Sequence, residues 1–334
     1  MRSNTSHFYV IINIGDNMEY KKIVVAGGGV LGSQIAFQCA YSGLDVTILV
    51  REGSSLEEIN NKLNKLHDTY INTIENMNKD NIARGIADIN NFNKDECINK
   101  VNNALNNIRI ETNQAKALED ADLLIESITE VLDIKKEFYE QVSSLLNDKT
   151  VVVTNSSTLL PSSMAKYTGR EDKFLSMHFA NTIWKNNIVE IMGHDKTNEM
   201  YYDEISKFAE KINMIPLIAK HEKSGYLLNS MLVPFLLCAM DLLANGVSDP
   251  ETIDKAWTLG TGAPKGPFQI MDTVGLVTAK NIVEQYQKVP NIFDPILKKM
   301  MLPYNYDGML EILNKYIDEG KLGKSTGEGF YKYK

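Results

Sequence analysis

The stretch Lys22-Ile23-Val24-Val25-Ala26-Gly27-Gly28-Gly29-Val30-Leu31-Gly32 decides the fold. Its first five residues are an almost unbroken apolar run, as expected of a parallel strand buried on both faces. Glycines at 27, 29 and 32 then satisfy G-x-G-x-x-G, and the segment from Val30 to Tyr41 reads as a helix closed by Gly43. Each glycine has a physical task in a dinucleotide-binding turn. Gly27 permits the tight turn off the strand, Gly29 lets backbone approach a pyrophosphate, and Gly32 lets the helix pack closely on the sheet. Val30 and Leu31 open the helix, whose free N–H groups and positive dipole end suit an anion.

Outward from this unit, Val46 to Val50 is a second buried strand, followed by Arg51-Glu52. That position reads the ribose, and two readings stay open. Arg51 suits the 2'-phosphate of NADP; alternatively it is solvated while Glu52 takes the 2'-hydroxyl of NAD. Two long polar helical patterns, Leu56 to Met77 and Asp95 to Leu105, exceed a simple crossover and predict an inserted helical hairpin. Strands are expected at Asp122 to Ile125 and Thr150 to Val153, around a helix Val131 to Leu146. Further strands follow at Phe174 to Phe179, Ile188 to Met192 and Met214 to Ala219. Beyond Ser224 the chain reads as helices: Tyr226 to Asn245, Glu251 to Leu259, Phe268 to Tyr286 and Met309 to Glu319. The expected architecture is α/β, a Rossmann-type doubly wound, mostly parallel sheet over residues 18–219. A smaller all-helical domain follows over 220–334.

Composition agrees and excludes other classes. A chain of 334 residues has room for about two domains, each with its own core. The net charge of -8, with no Lys/Arg block, gives no electrostatic case for nucleic acid. Cys39, Cys97 and Cys238 are odd in number and far apart, so neither a disulfide framework nor a metal site is expected, and a reducing cytoplasm is the simplest compartment. The strongest apolar stretch, Leu227 to Ala244, is interrupted by Asn229, Ser230, Pro234 and Asp241, so it reads as a buried helix and not a membrane span. Residues 1–17 lack a secretory pattern and read as a loose or non-native extension, with Met18 opening the first strand almost at once.

Polar residues cluster after the later strands: Asn155, Ser156 and Ser157 after one, His178 at the end of another, and Glu190 twelve positions on. Ligands of open α/β sheets bind beyond the carboxyl ends of the strands, where these groups can converge. An imidazole is suited to remove a hydroxyl proton near neutral pH, and works best when a carboxylate orients it. The competing reading is that any single His or Ser here is a satisfied structural residue; His7, His67, His194 and His221 keep that reading.

These residues carry a resemblance. From about Tyr20 onward the chain resembles the L-3-hydroxyacyl-CoA dehydrogenase family, including the bacterial 3-hydroxybutyryl-CoA dehydrogenases. The marks are the glycine loop, Ile125-Glu126-Ser127-Ile128-Thr129-Glu130 with Lys135, Thr154-Asn155-Ser156-Ser157-Thr158, His178-Phe179-Ala180-Asn181 and Val189-Glu190. In the helical half they are Gly225-Tyr226-Leu227-Leu228-Asn229, Gly262-Ala263-Pro264-Lys265-Gly266-Pro267-Phe268 and Gly327-Glu328-Gly329-Phe330-Tyr331. The resemblance implies that His178 is the general base and Glu190 its partner, and that Ser157 and Asn229 bind the 3-oxygen and thioester region. It places Asn155 near the nicotinamide, Glu130 and Lys135 along an NAD cofactor, and implies a homodimer formed by the helical domain.

The family's usual His-Phe-Phe-Asn-Pro run is here His178-Phe179-Ala180-Asn181-Thr182, Ser230 replaces the common Arg, and Arg51 replaces an aspartate. None of these touches the acid–base pair; all bear on the acyl pocket, the CoA contacts or the cofactor. Two substrates are therefore expected: a short-chain 3-hydroxyacyl-CoA, or a free 3-hydroxy acid as in carnitine and gulonate dehydrogenases. A catalytically silent dinucleotide-binding protein is the third reading. CoA phosphates need cations on an acidic surface; Lys62 and Lys65 of the inserted hairpin either supply them or simply line a solvated helix face, the reading that carries more weight.

Overall fold

The computed structural model describes residues 19–79, 81–288 and 304–333. The chain divides into two compact units, the first ending at Tyr226 and the second beginning at Leu227. The expectation for residues 1–17 lies outside the described residues.

The first unit is built on an eight-stranded sheet of order β3-β2-β1-β4-β5-β6-β7-β8. Its strands are β1 (Lys22–Ala26), β2 (Asp45–Leu49), β3 (Ile108–Glu111), β4 (Leu123–Glu126), β5 (Val151–Thr154), β6 (Phe174–Phe179), β7 (Ile188–Met192) and β8 (Ile215–Ala219). All neighbouring pairs are parallel except β6 with β7. Because side chains alternate along a strand, the sheet feeds two cores. Ile23, Val25, Ile48, Ile125, Val153 and Met177 pack on one face with helices α1 (Val30–Tyr41), α2 (Leu56–Glu75), α3 (Lys94–Ala104) and α6 (Glu199–Lys211). Val24, Ala26, Leu124 and Val152 pack on the other with α4 (Gln114–Leu118) and α5 (Leu132–Ser143). Burial on both faces explains why these strands read as continuous apolar runs.

One strand departs from the expected layout of the sheet. β3 closes one edge of the sheet, where the sequence reading had no strand. Ile108-Arg109-Ile110-Glu111 is short and only half-buried, so it lacks the apolar run that marks the central strands. The inserted hairpin is present as α2 and α3, ahead of this edge strand.

The second unit is helical: α7 (Leu228–Ala244), α8 (Pro250–Thr261), α9 (Pro267–Val274), α10 (Leu276–Gln287) and α11 (Tyr306–Asp318). Its core gathers Leu236, Met240, Ile253, Phe268, Met271, Leu276, Met309 and Leu313. The single helix expected over Phe268 to Tyr286 is two, because Gly275 at φ 97° breaks it. Two buried aspartates hold this unit together. Asp254 accepts from the backbone N–H groups of Phe268 and Gln269 and from the Tyr331 hydroxyl. Asp272 accepts from the N–H groups of Phe330 and Tyr331 and from the Tyr333 hydroxyl. A Cβ on Gly266 would fall 2.2 Å from the Asp254 carboxyl carbon, and one on Gly329 would fall 2.1 Å from Asp272 Oδ1. Gly266 and Gly329 are therefore explained by packing, whereas Gly262 and Gly327 of the same motifs hold positive φ, at 72° and 80°.

Candidate active site

Strand register lines up the carboxyl ends of the central strands. Ala26 pairs with Glu126, and Glu126 with Thr154, so Gly27, Ser127 and Asn155 follow side by side at that edge. The glycine loop turns off β1 here. Gly27 sits at φ 116°, and a Cβ on it would lie 2.4 Å from the Ser127 carbonyl oxygen. A Cβ on Gly32 would lie 2.1 Å from the Gly27 carbonyl oxygen, so the helix could not approach the loop with a larger residue. Around Gly29 no atom lies within 4 Å of such a Cβ, which leaves the face of the loop open. Gly29 is also the N-cap of α1, with no side chain capping the helix, and Val30 is exposed beside it. Uncapped N–H groups facing an open surface fit a pyrophosphate. Arg51 and Glu52 are both exposed after β2. Lys62 of α2 donates from Nζ to the Gly28 carbonyl at 3.1 Å, so its ammonium stands at the glycine loop; Lys65 is exposed.

His178 and Glu190 come together because β6 and β7 are the antiparallel pair. The register places them directly opposite, which puts their side chains on one face. His178 Nδ1 lies 3.1 Å from Glu190 Oε2, and both residues are buried. An ionised carboxylate only accepts, so against one the donor of this contact is Nδ1, and a neutral ring in that tautomer presents the Nε2 lone pair.

A second carboxylate organises the turn after β5. Glu130 Oε1 accepts from the Ser156 hydroxyl at 2.6 Å, from the Ser157 and Thr158 N–H groups at 3.0 Å, and from the Thr158 hydroxyl at 3.0 Å. Burial works against the Glu130 charge, but the Ser156 hydroxyl, the Lys135 ammonium and the Thr158 groups outweigh it and hold the carboxyl below its ordinary range. Lys135 is almost fully buried between Glu126 and Glu130. Glu126 also accepts from the Ile128 N–H and from the hydroxyls of Tyr139 and Thr154. Asn155 ties the edge to β6, accepting from the Phe179 N–H at 3.0 Å and donating to the Ser127 hydroxyl at 3.3 Å. Asn229 belongs to the second unit, half-buried in the first turn of α7.

The sequence reading gave no role to two residues of this site. Glu126 ends β4 as a buried carboxylate within an otherwise apolar strand, a detectable signal. Tyr226 stacks on the His178 ring, with centroids 4.6 Å apart and planes 18° off parallel. Nothing in the spacing of the sequence signals that contact.

The profile of the 3-hydroxyacyl-CoA dehydrogenase NAD binding domain matches residues 22–222, and that of the 3-hydroxyacyl-CoA dehydrogenase C-terminal domain matches 225–333. The chain belongs to the 3-hydroxyacyl-CoA dehydrogenase family. The human mitochondrial hydroxyacyl-coenzyme A dehydrogenase is 30% identical over 315 residues, covering 94% of this chain and 91% of that protein. The 3-hydroxybutyryl-CoA dehydrogenase of Clostridioides difficile is 27% identical over 317 residues, covering 93% of this chain and 99% of that protein. A solved diketoreductase structure, described as performing substrate-directed dual catalysis of dicarbonyl compounds, aligns with a TM-score of 0.78 at 43% identity and covers 94% of this chain and 99% of its own. The chain is accordingly an oxidoreductase of this family with NAD as its cofactor. Among the described residues, no helix is long and apolar enough to cross a membrane and no cluster of side chains fits a metal ion.

Proposed function

We propose that His178 is the general base of a short-chain L-3-hydroxyacyl-CoA dehydrogenase, with Glu190 as its partner. The observation that carries this is the buried 3.1 Å contact between His178 Nδ1 and Glu190 Oε2. Nε2 takes the proton of the substrate's 3-hydroxyl, and the Glu190 charge steadies the imidazolium that results. In the reverse direction the imidazolium returns that proton to the oxygen of the 3-ketone. Bound at the glycine loop through Gly27, Gly29, Val30, Leu31 and Gly32, NAD supplies the hydride acceptor. Ser157 and Asn229 hydrogen-bond the substrate oxygens. Glu130, Lys135 and Asn155 shape the edge along the cofactor, Glu130 by fixing the turn that carries Ser157.

In this reading the first unit binds dinucleotide, and the second binds substrate and forms a homodimer in a cytoplasmic protein. Exposed apolar side chains on the second unit, among them Met231, Val247 and Leu259, support the dimer.

A free dicarbonyl or 3-hydroxy acid is the second reading for the substrate. The 43% identity with the diketoreductase favours it, as does Ala180 in place of the family's second Phe. One rate matrix separates the two: acetoacetyl-CoA and longer 3-ketoacyl-CoA esters against free dicarbonyl compounds, carnitine and gulonate, each with the nicotinamide of matching redox state. The proposal expects the CoA ester to be turned over fastest; no turnover of any CoA ester would remove it. Running the matrix with both phosphorylated and unphosphorylated cofactor also tests Arg51.

A further inference from the structure

The Glu190 hydrogen bond reaches the His178 ring at Nδ1. The imidazole turns about its Cβ–Cγ bond, a broad torsion that one hydrogen bond at Nδ1 resists but does not fix, and such a turn swings Nε2 away from any fixed hydroxyl. A second restraint on the plane of the ring is needed, and the ring of Tyr226 supplies it. The two rings lie nearly parallel, with 4.6 Å between centroids. Tyr226 is itself immobilised. Its side chain is fully buried against Met192 and Ala219, and its hydroxyl donates to the Ser156 carbonyl at 2.8 Å. Two residues earlier, the Ser224 hydroxyl donates to the Thr158 carbonyl at 2.8 Å, so segment 224–226 docks on the 156–158 turn at two points.

The backbone is bent to achieve this. Gly225 and Tyr226 both have positive φ, at 82° and 52°. Glycine adopts that region freely, whereas a bulky aromatic residue does so rarely and only where its surroundings over-determine it. Burial also pushes the Tyr226 phenol well above its ordinary range, which keeps it a neutral donor to Ser156.

We infer that Tyr226 is a positioning residue that sets the plane of the His178 imidazole and ties it to the turn bearing Ser157. The connection runs from Glu130 through the 156–158 turn to Tyr226, then to His178 and Glu190. This inference rests on His178 being the base, as proposed above.

The test compares Tyr226→Leu and Tyr226→Phe with His178→Gln in NADH-dependent reduction of whichever ketone the wild type turns over fastest. A misdirected reacting group costs up to about 10²-fold, so Tyr226→Leu is expected to lower kcat roughly 10- to 100-fold, with KM and the NADH Kd within about 3-fold. Tyr226→Phe keeps the ring and is expected to recover kcat to within about 3-fold of wild type. Wild-type kcat in Tyr226→Leu, or equal damage in both variants, overturns the inference. If His178→Gln retains turnover, the base assignment itself fails, which distinguishes the two failures. Should Tyr226→Leu not fold, selective labelling of histidine in the wild-type enzyme decides. The His178 ring protons, assigned by their loss in His178→Gln, are expected upfield of unstacked histidine from the Tyr226 ring current. Unshifted signals overturn the stack.

Discussion

His178 and Glu190 stand directly opposite each other across the antiparallel seam of the sheet, with Nδ1 and Oε2 3.1 Å apart. The seam matters because the chain returns antiparallel between these positions, and cross-strand partners in register share one face of the sheet. A Gln at 190 keeps a hydrogen-bonding group but removes the charge that orients and steadies the imidazolium. Glu190→Gln is expected to lower kcat by roughly 10²-fold or more while the NADH Kd holds, measured by steady-state kinetics and fluorescence titration. Unchanged kcat would show that Glu190 is only a packing partner.

The turn bearing Ser157 depends on the Glu130 charge. Because the folded carboxyl titrates below the ordinary value of 4.5, its contribution to stability is complete above that pH and fades as pH falls through the lowered value. Glu130→Gln is therefore expected to be less stable than wild type at pH 7, with the gap closing as pH drops below about 4.5. Denaturant midpoints at stepped pH check this; a gap independent of pH would mean the charge plays no part.

Lys135 and Glu126 form an ion pair with side chains essentially out of solvent. Removing only the cation strands a buried carboxylate, a change that costs about 3–5 kcal/mol. Lys135→Met is expected to lower the melting midpoint by roughly 6–20 °C, given about 2–4 °C per kcal/mol for a unit of this size. The double variant Glu126→Gln/Lys135→Met should regain part of that loss. Circular dichroism melts decide, and an unchanged midpoint in Lys135→Met would contradict the buried pair.

What could be read without coordinates follows from which forces leave a local imprint. The glycine loop and the central strands are legible because burial on both faces demands apolar runs and the turn demands glycine at fixed offsets. The edge strand Ile108–Glu111 escapes notice, since an edge is half-solvated and short. The break at Gly275 escapes as well, because one glycine in an apolar helical pattern is often tolerated. Within the site, the pairing of His178 with Glu190 was expected from chemistry, and the antiparallel register explains it. Lys62 shows a limit of the same reasoning. Read either as a cation for CoA or as part of a solvated helix face, it hydrogen-bonds the Gly28 carbonyl, a contact that spacing along the chain does not encode. The stack of Tyr226 on His178 joins residues 48 positions apart in sequence and likewise has no local trace.

The central claim is that one imidazole moves the proton of the substrate hydroxyl. Its most direct test is kcat for acetoacetyl-CoA reduction by His178→Gln, with the NADH Kd of the same preparation measured alongside. The account predicts a fall of roughly 10²- to 10⁴-fold with cofactor affinity kept. Turnover at the wild-type rate in that variant would contradict it.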